Sequence, residues 1–178
     1  MTTLHEGAIT LQTISLEEIP AIFGLVKDDL GLAEQMTWEV PENESEAIEI
    51  FTKLFSRNRI CFGIYLDERL IGIINVQNFN WWHHDAQKAS AFINFWVGTE
   101  FGDNNYEVEA LRAVSRYCLE NLKLKKIFSG CFTGNQTIGK ALKQVGYREI
   151  GVLKKHFLKQ NKPIDSTRYE LLTEDFVG

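Results

Sequence analysis

From Ala89 to Phe132 the chain passes through an alternating apolar stretch, ASAFINFWV, a polar turn, GTEFGDNN, a helical repeat, YEVEALRAVSRYCLENL, and a second strand-like run, KKIFSGCF. A strand, a helix and a strand of these lengths form a crossover, and the strands it joins lie parallel. The helix carries Val108, Leu111, Val114, Ser115, Cys118 and Leu122 near helical spacing. Around this unit the pattern is antiparallel. RICFGIYL and RLIGIINVQNF are separated only by Asp67 and Glu68, which reads as a hairpin. REIGVLKKHFLKQ and STRYELL close the chain as a second hairpin, with a long loop around NKPID.

The flanking segments supply the remaining elements. GAITLQTI alternates and predicts a first strand. SLEEIPAIFGLVKDD predicts one helix, opened by a Ser15–Glu18 capping box, with Pro20 in its early turns. A second helix is expected from Glu44 to Ser56, with Ile48, Phe51, Leu54 and Phe55 on one face. NQTIGKALKQVGY is a short helix that Gly146 ends from the left-handed region. The order β-α-α-β-β-β-α-β-α-β-β predicts an α/β (α+β) fold: a mixed, mostly antiparallel sheet with one parallel pair, flanked by about four helices. A single domain over residues 1–178 is expected, since no linker or repeat divides the chain.

A net charge of −5 and a pI near 5.4 disfavour nucleic acid as a partner, because such binding rests on neutralising phosphates. An acidic surface suits a cationic acceptor, and also serves solubility alone. No apolar run approaches the ~20 residues of a membrane span. MTTLHEGAITL lacks the pattern of a signal peptide, so the cytoplasm is the expected compartment. Cys61, Cys118 and Cys131 are too few and too scattered for a disulfide framework or a zinc cluster. His83 and His84 in WWHHD invite a metal reading, but adjacent strand residues point apart and nothing completes a site, so no metal is expected. Trp81 and Trp82 suit an acceptor pocket or a subunit contact, and both readings stand.

The element order and several local sequences resemble the GNAT superfamily of N-acetyltransferases, and within it the RimJ/RimL type that acetylates N-terminal amino groups of ribosomal proteins. The resemblance lies in the Trp38 region, the hairpin FGIYLDERLIGIINV, INFWV leading into EALRAV, and CFTGNQTIGKALKQVGYREIGVLKK, where Asn135, Gly146, Tyr147, Glu149 and Gly151 match the family's closing pattern. It implies acetyl-CoA as cosubstrate, lying where the two parallel strands splay apart, with its pyrophosphate on the N-terminus of the next helix. The implied cofactor-binding residues are Trp96, Val97, Gly102, Asp103, Asn104, Asn105, Tyr106, Asn135 and Lys140; Trp38 and His156 fall at the acceptor side. The implied reaction is direct attack of a neutral amine on the thioester, with the amine or peptide acceptor left open. Relatives of this type are often dimers, which admits a homodimer here.

Five positions depart from the family pattern. Gly102, Asn105 and Glu107 stand where the family has Gln or Arg, then Gly, then Gly or Ala. Asn tolerates positive φ well, whereas a carboxylate in the first helical turn offsets the dipole that attracts phosphate. An acidic residue there also simply stabilises a helix start. Ile138 takes the place of a proton-donating Ser, with Thr137 beside it, and Phe157 takes the place of a carboxylate. No catalytic residue is therefore assigned. His156 is the nearest group able to act as a base near neutral pH; beside Lys154 and Lys155 it also reads as an ordinary exposed strand residue, and alternation sets it opposite Phe157. Cys131 sits near the expected thiol end of the cofactor, as a nucleophile or as packing. Two readings follow: an acetyl-CoA-dependent N-acetyltransferase, or a protein of the same fold with weak or lost CoA binding that acts as a binding or regulatory module.

Overall fold

The computed structural model describes residues 2–55, 59–77, 79 and 89–178, with Leu54, Phe55 and Asp103 described in their backbone only. Trp81, Trp82, His83, His84 and Asp85, and with them the metal and aromatic-patch readings, lie outside the described residues.

Eight strands form one sheet in the order β1-β2-β3-β4-β5-β6-β8-β7. They are β1 Thr3–Glu6, β2 Ile9–Thr13, β3 Ile60–Leu66, β4 Arg69–Gln77, β5 Ser90–Val97, β6 Lys126–Phe132, β7 Arg148–Lys159 and β8 Lys162–Leu172. Among the described residues only β5 and β6 pair in parallel; every other neighbour is antiparallel. The helices are α1 Ile19–Val26, α2 Leu30–Gln35, α3 Glu44–Phe55, α4 Tyr106–Arg116 and α5 Gln136–Gln144. Helices α4 and α5 cover one face of the sheet, burying Val108, Leu111, Val114 and Leu142 against Ile74, Val76, Ile93 and Ile127. The other face is covered by α1, α2 and α3, whose Ile22, Leu32 and Phe51 pack with Cys61, Ile73 and Trp96. Among the described residues no helix is long and apolar enough to cross a membrane.

The crossover from β5 through α4 to β6 forms as the sequence requires, and α4 is prolonged by a π turn at Tyr117–Asn121. Four local expectations are corrected. The expected first strand is preceded by another, β1, and the two join at Gly7, whose φ of +55° makes the turn. The backbone N–H of Ala8 donates to Glu109 Oε2 at 3.0 Å, so a carboxylate of α4 holds this hairpin. The expected first helix divides: the Ser15–Glu18 capping box starts a 3-10 turn, Pro20 sits at the start of α1, and Asp29 opens a separate α2. On α3 the inward face carries Ala47 and Phe51, while Ile48 is 47% exposed. The loop expected around NKPID is a two-residue turn at Gln160–Asn161, with φ of +47° and +59°, so β7 and β8 run almost to its ends.

Glu170 ties the last three strands together. Its carboxylate accepts from Lys126 Nζ on β6 at 2.8 Å and from Arg148 Nη2 on β7 at 2.7 Å. The Lys126 hydrogen bond, opposed by burial and aided by Arg148, holds its pKa below the ordinary 4.5. Stability from this group is therefore present above the unfolded-state pKa and lost as pH falls through the lowered folded value. Both cations are substantially exposed, so Glu170→Gln is expected to cost about 1–2 kcal/mol at pH 7. Urea unfolding at pH 7 and below pH 4 checks this: the deficit at neutral pH shrinks in acid.

Candidate active site

The register between β5 and β6 stops at Phe92↔Phe128, although β5 continues to Val97 and β6 to Phe132. Their outer edges stay paired, Val97 with Gly72 on β4 and Phe132 with Ser166 on β8. The two strands thus part while each is held from outside, and their inner edges face one another. Ser129 Oγ closes the apex by donating to the Ile93 carbonyl at 3.0 Å. Gly72 permits this arrangement: a Cβ there would stand 2.3 Å from the Trp96 carbonyl oxygen. The close approach of β4 thereby seats the far end of β5.

A cavity of about 860 Å³ opens over the splay. Phe92, Trp96, Phe128 and Phe132 line it from the sheet, with Trp38 and Phe51 from the helical layer. Polar groups enter from several elements: Asn75 and Gln77 on β4, Asn94 on β5, Glu107 on α4, and Arg168 on β8. Asn75 Oδ1 is buried and has no hydrogen-bond partner among the described residues. The cover over the cavity is pinned from the opposite side. Lys159 donates to the Ala33 carbonyl and, at 2.7 Å, to that of Met36, and Asn135 Nδ2 donates to Gln35 Oε1 at 3.1 Å.

The turn after β5 is a 3-10 segment, Thr99–Asn104, ending at Asn105 with φ +61° and ψ +18°. Asn105 thus adopts the left-handed conformation that suits a glycine, and its carbonyl accepts from Val108 and Glu109 N–H at 3.0 and 3.1 Å. Tyr106 and Glu107 open α4, where N–H groups have no carbonyl four residues back. Glu107 points inward: it is 7% exposed and lines the cavity together with Gly102. Asn104 is exposed, its amide 3.4 Å from the Phe101 carbonyl. Asp103 lies within the 3-10 segment.

Of the other expected residues, Trp96 and Val97 are buried and line the cavity. Trp38 also lines it, and it packs edge-on against Phe51 at 5.4 Å, so the pocket and core roles coincide. Asn135 caps α5, accepting from Ile138 N–H at 3.1 Å. Thr137 and Ile138 both reach the cavity wall, whereas Lys140 is exposed on α5 and is not among its lining residues. The Cys131 thiol is pushed up to about 11, by burial first and then by Glu149, which disfavours a nucleophilic thiolate.

Strand alternation fails at His156. The β7–β8 register slips between Leu153 and Phe157, with Lys155 at φ +51°. Asp165 holds this bulge by accepting from Lys155 N–H at 2.7 Å and Lys154 Nζ at 2.9 Å. His156 and Phe157 consequently both face the cavity, their rings 4.1 Å apart. His156 Nδ1 is hydrogen-bonded to Ser166 Oγ at 2.8 Å. Burial, and then the Arg168 charge, lower its pKa, so the ring is neutral at neutral pH.

Sequence reasoning missed Arg168 and Asp29. Arg168 Nη2 lies 3.2 Å from His156 Nδ1, and its guanidinium stacks over Phe92 at 5.0 Å. Asp29 was read as the end of a helix. Its carboxylate instead caps α2 through Leu32 N–H at 2.9 Å and accepts from Thr99 N–H and Oγ1 at 2.8 and 2.7 Å.

Known proteins share this fold. Residues 8–148 match the acetyltransferase (GNAT) domain family. An uncharacterized N-acetyltransferase of Bacillus subtilis, YoaA, is 28% identical, with 95% of this chain and 96% of that protein covered. Mycobacterium smegmatis RimJ, solved with a CoA disulfide, superposes with a TM-score of 0.82 at 22% identity, covering 97% of this chain and 87% of that one. The spermidine N-acetyltransferase of Vibrio cholerae, solved with CoA and spermine, gives 0.79 at 18% identity, covering 96% and 99%. The splayed parallel pair, the turn into α4 and the match over residues 8–148 lead to one statement: the chain belongs to the GNAT acetyltransferase family.

Proposed function

We propose that the chain transfers an acetyl group from acetyl-CoA to an amine, with a weakened hold on the cofactor's phosphates. The observation that carries this is the splay of β5 from β6 over the cavity. Two facing strand edges suit an extended, amide-bearing arm that pairs as an added strand. The cofactor fits this end of the site. At the turn, Asn105 fits in conformation, but buried Glu107 opposes an anion in charge. Bound acetyl-CoA supplies the activated acetyl group. The chain's own residues handle the amine: Asn75 Oδ1, unpaired among the described residues, offers it an acceptor, aromatic walls exclude water, and the neutral His156 ring takes its proton.

Calorimetric titration of the purified chain with acetyl-CoA, followed by an amine panel, tests the reading; no binding at millimolar acetyl-CoA sinks it. His156→Ala is expected to lower kcat about a hundredfold. Because the His156 pKa is lowered, its base form persists below pH 6.5, and the acid limb that belongs to His156 falls at that depressed value, apart from the limb set by the amine's own ionisation. With the amine's ionisation accounted for by amines of different pKa, an acid limb that is unchanged in the variant would remove His156 from this role. Glu107, with Ile138 and Phe157, supports a second reading, a non-catalytic binding module, which the same titration separates.

A further inference from the structure

Arg168 extends across the sheet because Gly130 stands opposite it on β6. A Cβ on Gly130 would lie 3.0 Å from Arg168 Nη1, so the missing side chain clears its path to Phe92. The guanidinium therefore rests at the apex of the splay. The carboxylates on its own strand are already engaged: Glu170 by Lys126 and Arg148, Asp165 by Lys154 and the Lys155 N–H. Among the described residues its side-chain contacts are Phe92 and His156, neither of which carries a negative charge. Burial lowers its pKa, and no carboxylate among the described residues raises it. Arginine nonetheless stays protonated in proteins. A cation held in a partly dry, aromatic-walled cavity calls for an anion.

That anion is not the cofactor's pyrophosphate. From Phe92 to Val97, where the turn toward α4 begins, β5 advances about 3.3 Å per residue, so the turn starts roughly 16 Å along the strand from the ring that Arg168 covers. The anion belongs on the acceptor side. We propose that Arg168 receives a carboxylate of the acceptor, so that the amine acetylated here carries a carboxylate a few bonds from its nitrogen. The inference rests on the acetyl-transfer reading. The contact between Arg168 and His156 sets the reach: a carboxylate on the guanidinium leaves the nitrogen of the same small molecule, or of an acidic N-terminal residue, beside the imidazole. Bidentate pairing with the planar guanidinium supplies the selectivity.

Direct calorimetry with matched probes tests this without turnover. γ-Aminobutyrate is compared with n-butylamine, and an amidated tripeptide opening with glutamate with its glutamine counterpart. The carboxylate member of at least one pair is expected to bind about tenfold or more tighter. Preference within the first pair alone indicates a free amino acid, and within the second alone a peptide N-terminus; either supports the proposal. Arg168→Gln is expected to abolish the preference and Arg168→Lys to retain part of it, with thermal melts of each variant as the folding control. If Arg168→Gln does not fold, Gly130→Ala, which crowds the guanidinium, is read in its place. Equal binding within both pairs, or a preference that survives Arg168→Gln, overturns the proposal. Carboxylate preference without acetyl-CoA binding sinks only the acetyl-transfer reading, and acetylation indifferent to carboxylate sinks only the Arg168 assignment.

Discussion

Replacing Glu107 with alanine is expected to tighten binding of CoA and acetyl-CoA by up to about a hundredfold. The side chain is buried at the first turn of α4 and faces the cavity. A carboxylate about 5 Å from one phosphate charge, at an effective dielectric near 20, repels it by about 3 kcal/mol, a factor on the order of a hundred in affinity. Any cation paired with Glu107 takes up part of that repulsion, so this is the upper end. Glu107→Gln separates charge from bulk: if charge dominates, glutamine recovers most of the alanine effect. Calorimetry at low and high salt is the check. Screening barely reaches a buried pair, so the gain should persist in salt. Unchanged affinity in both variants would show that the carboxylate does not face the phosphates.

The largest stability effect is expected at Gly146. It ends α5 as a Schellman turn, with Gly146 N–H on the Lys143 carbonyl at 3.1 Å and Tyr147 N–H on that of Leu142 at 3.0 Å. Its φ is +102°, and a Cβ would stand 2.2 Å from the backbone oxygen of Asp175. The C-terminal segment passes over it, anchored by Val177 N–H on the Val145 carbonyl at 3.2 Å. Gly146→Ala therefore meets both left-handed strain, about 1–2 kcal/mol, and a clash with main chain that cannot rotate away, about 1–3 kcal/mol. A total near 3 kcal/mol is expected in urea unfolding. Gly134 separates the two causes, since its φ is +96° yet nothing lies within 4 Å of its missing Cβ. Gly134→Ala should show the strain alone. Equal losses at the two positions would refute the clash.

The sheet was legible because period-two alternation and a helix between two strands leave few topologies. The hairpin turn at Asp67 and the glycine stop of α5 were legible too, since both are local. What escaped depends on partners far along the chain. The β7 bulge exists because Asp165 reaches back to Lys155, and without it His156 would point away from Phe157. Gln160–Asn161 lacks the glycine that marks a tight hairpin, so the turn was read as a loop. Ala47 took the buried place assigned to Ile48, since packing space under α3, not side-chain size, chose the inward residue. Nothing local in STRYELL singles out Arg168, and only the glycine across from it on β6 shows where it lies. The departures at Asn105 and Glu107 were legible in type, but whether Glu107 faced the solvent or the cavity required the fold.

Asp29 gives the site a further property. One carboxylate caps α2, whose end covers the cavity at Gln35, and also holds Thr99, the first residue of the turn into α4. Displacing either element breaks bonds that secure the other, so α2 and the turn into α4 are energetically joined. A ligand that steadies the turn makes the roof less costly to order, and one that settles beneath the roof returns the same favour to the turn. By linkage the two enhancements are equal. Cosubstrate and acceptor would then bind cooperatively, and severing the tie with Asp29→Ala would reduce that cooperativity toward independent binding.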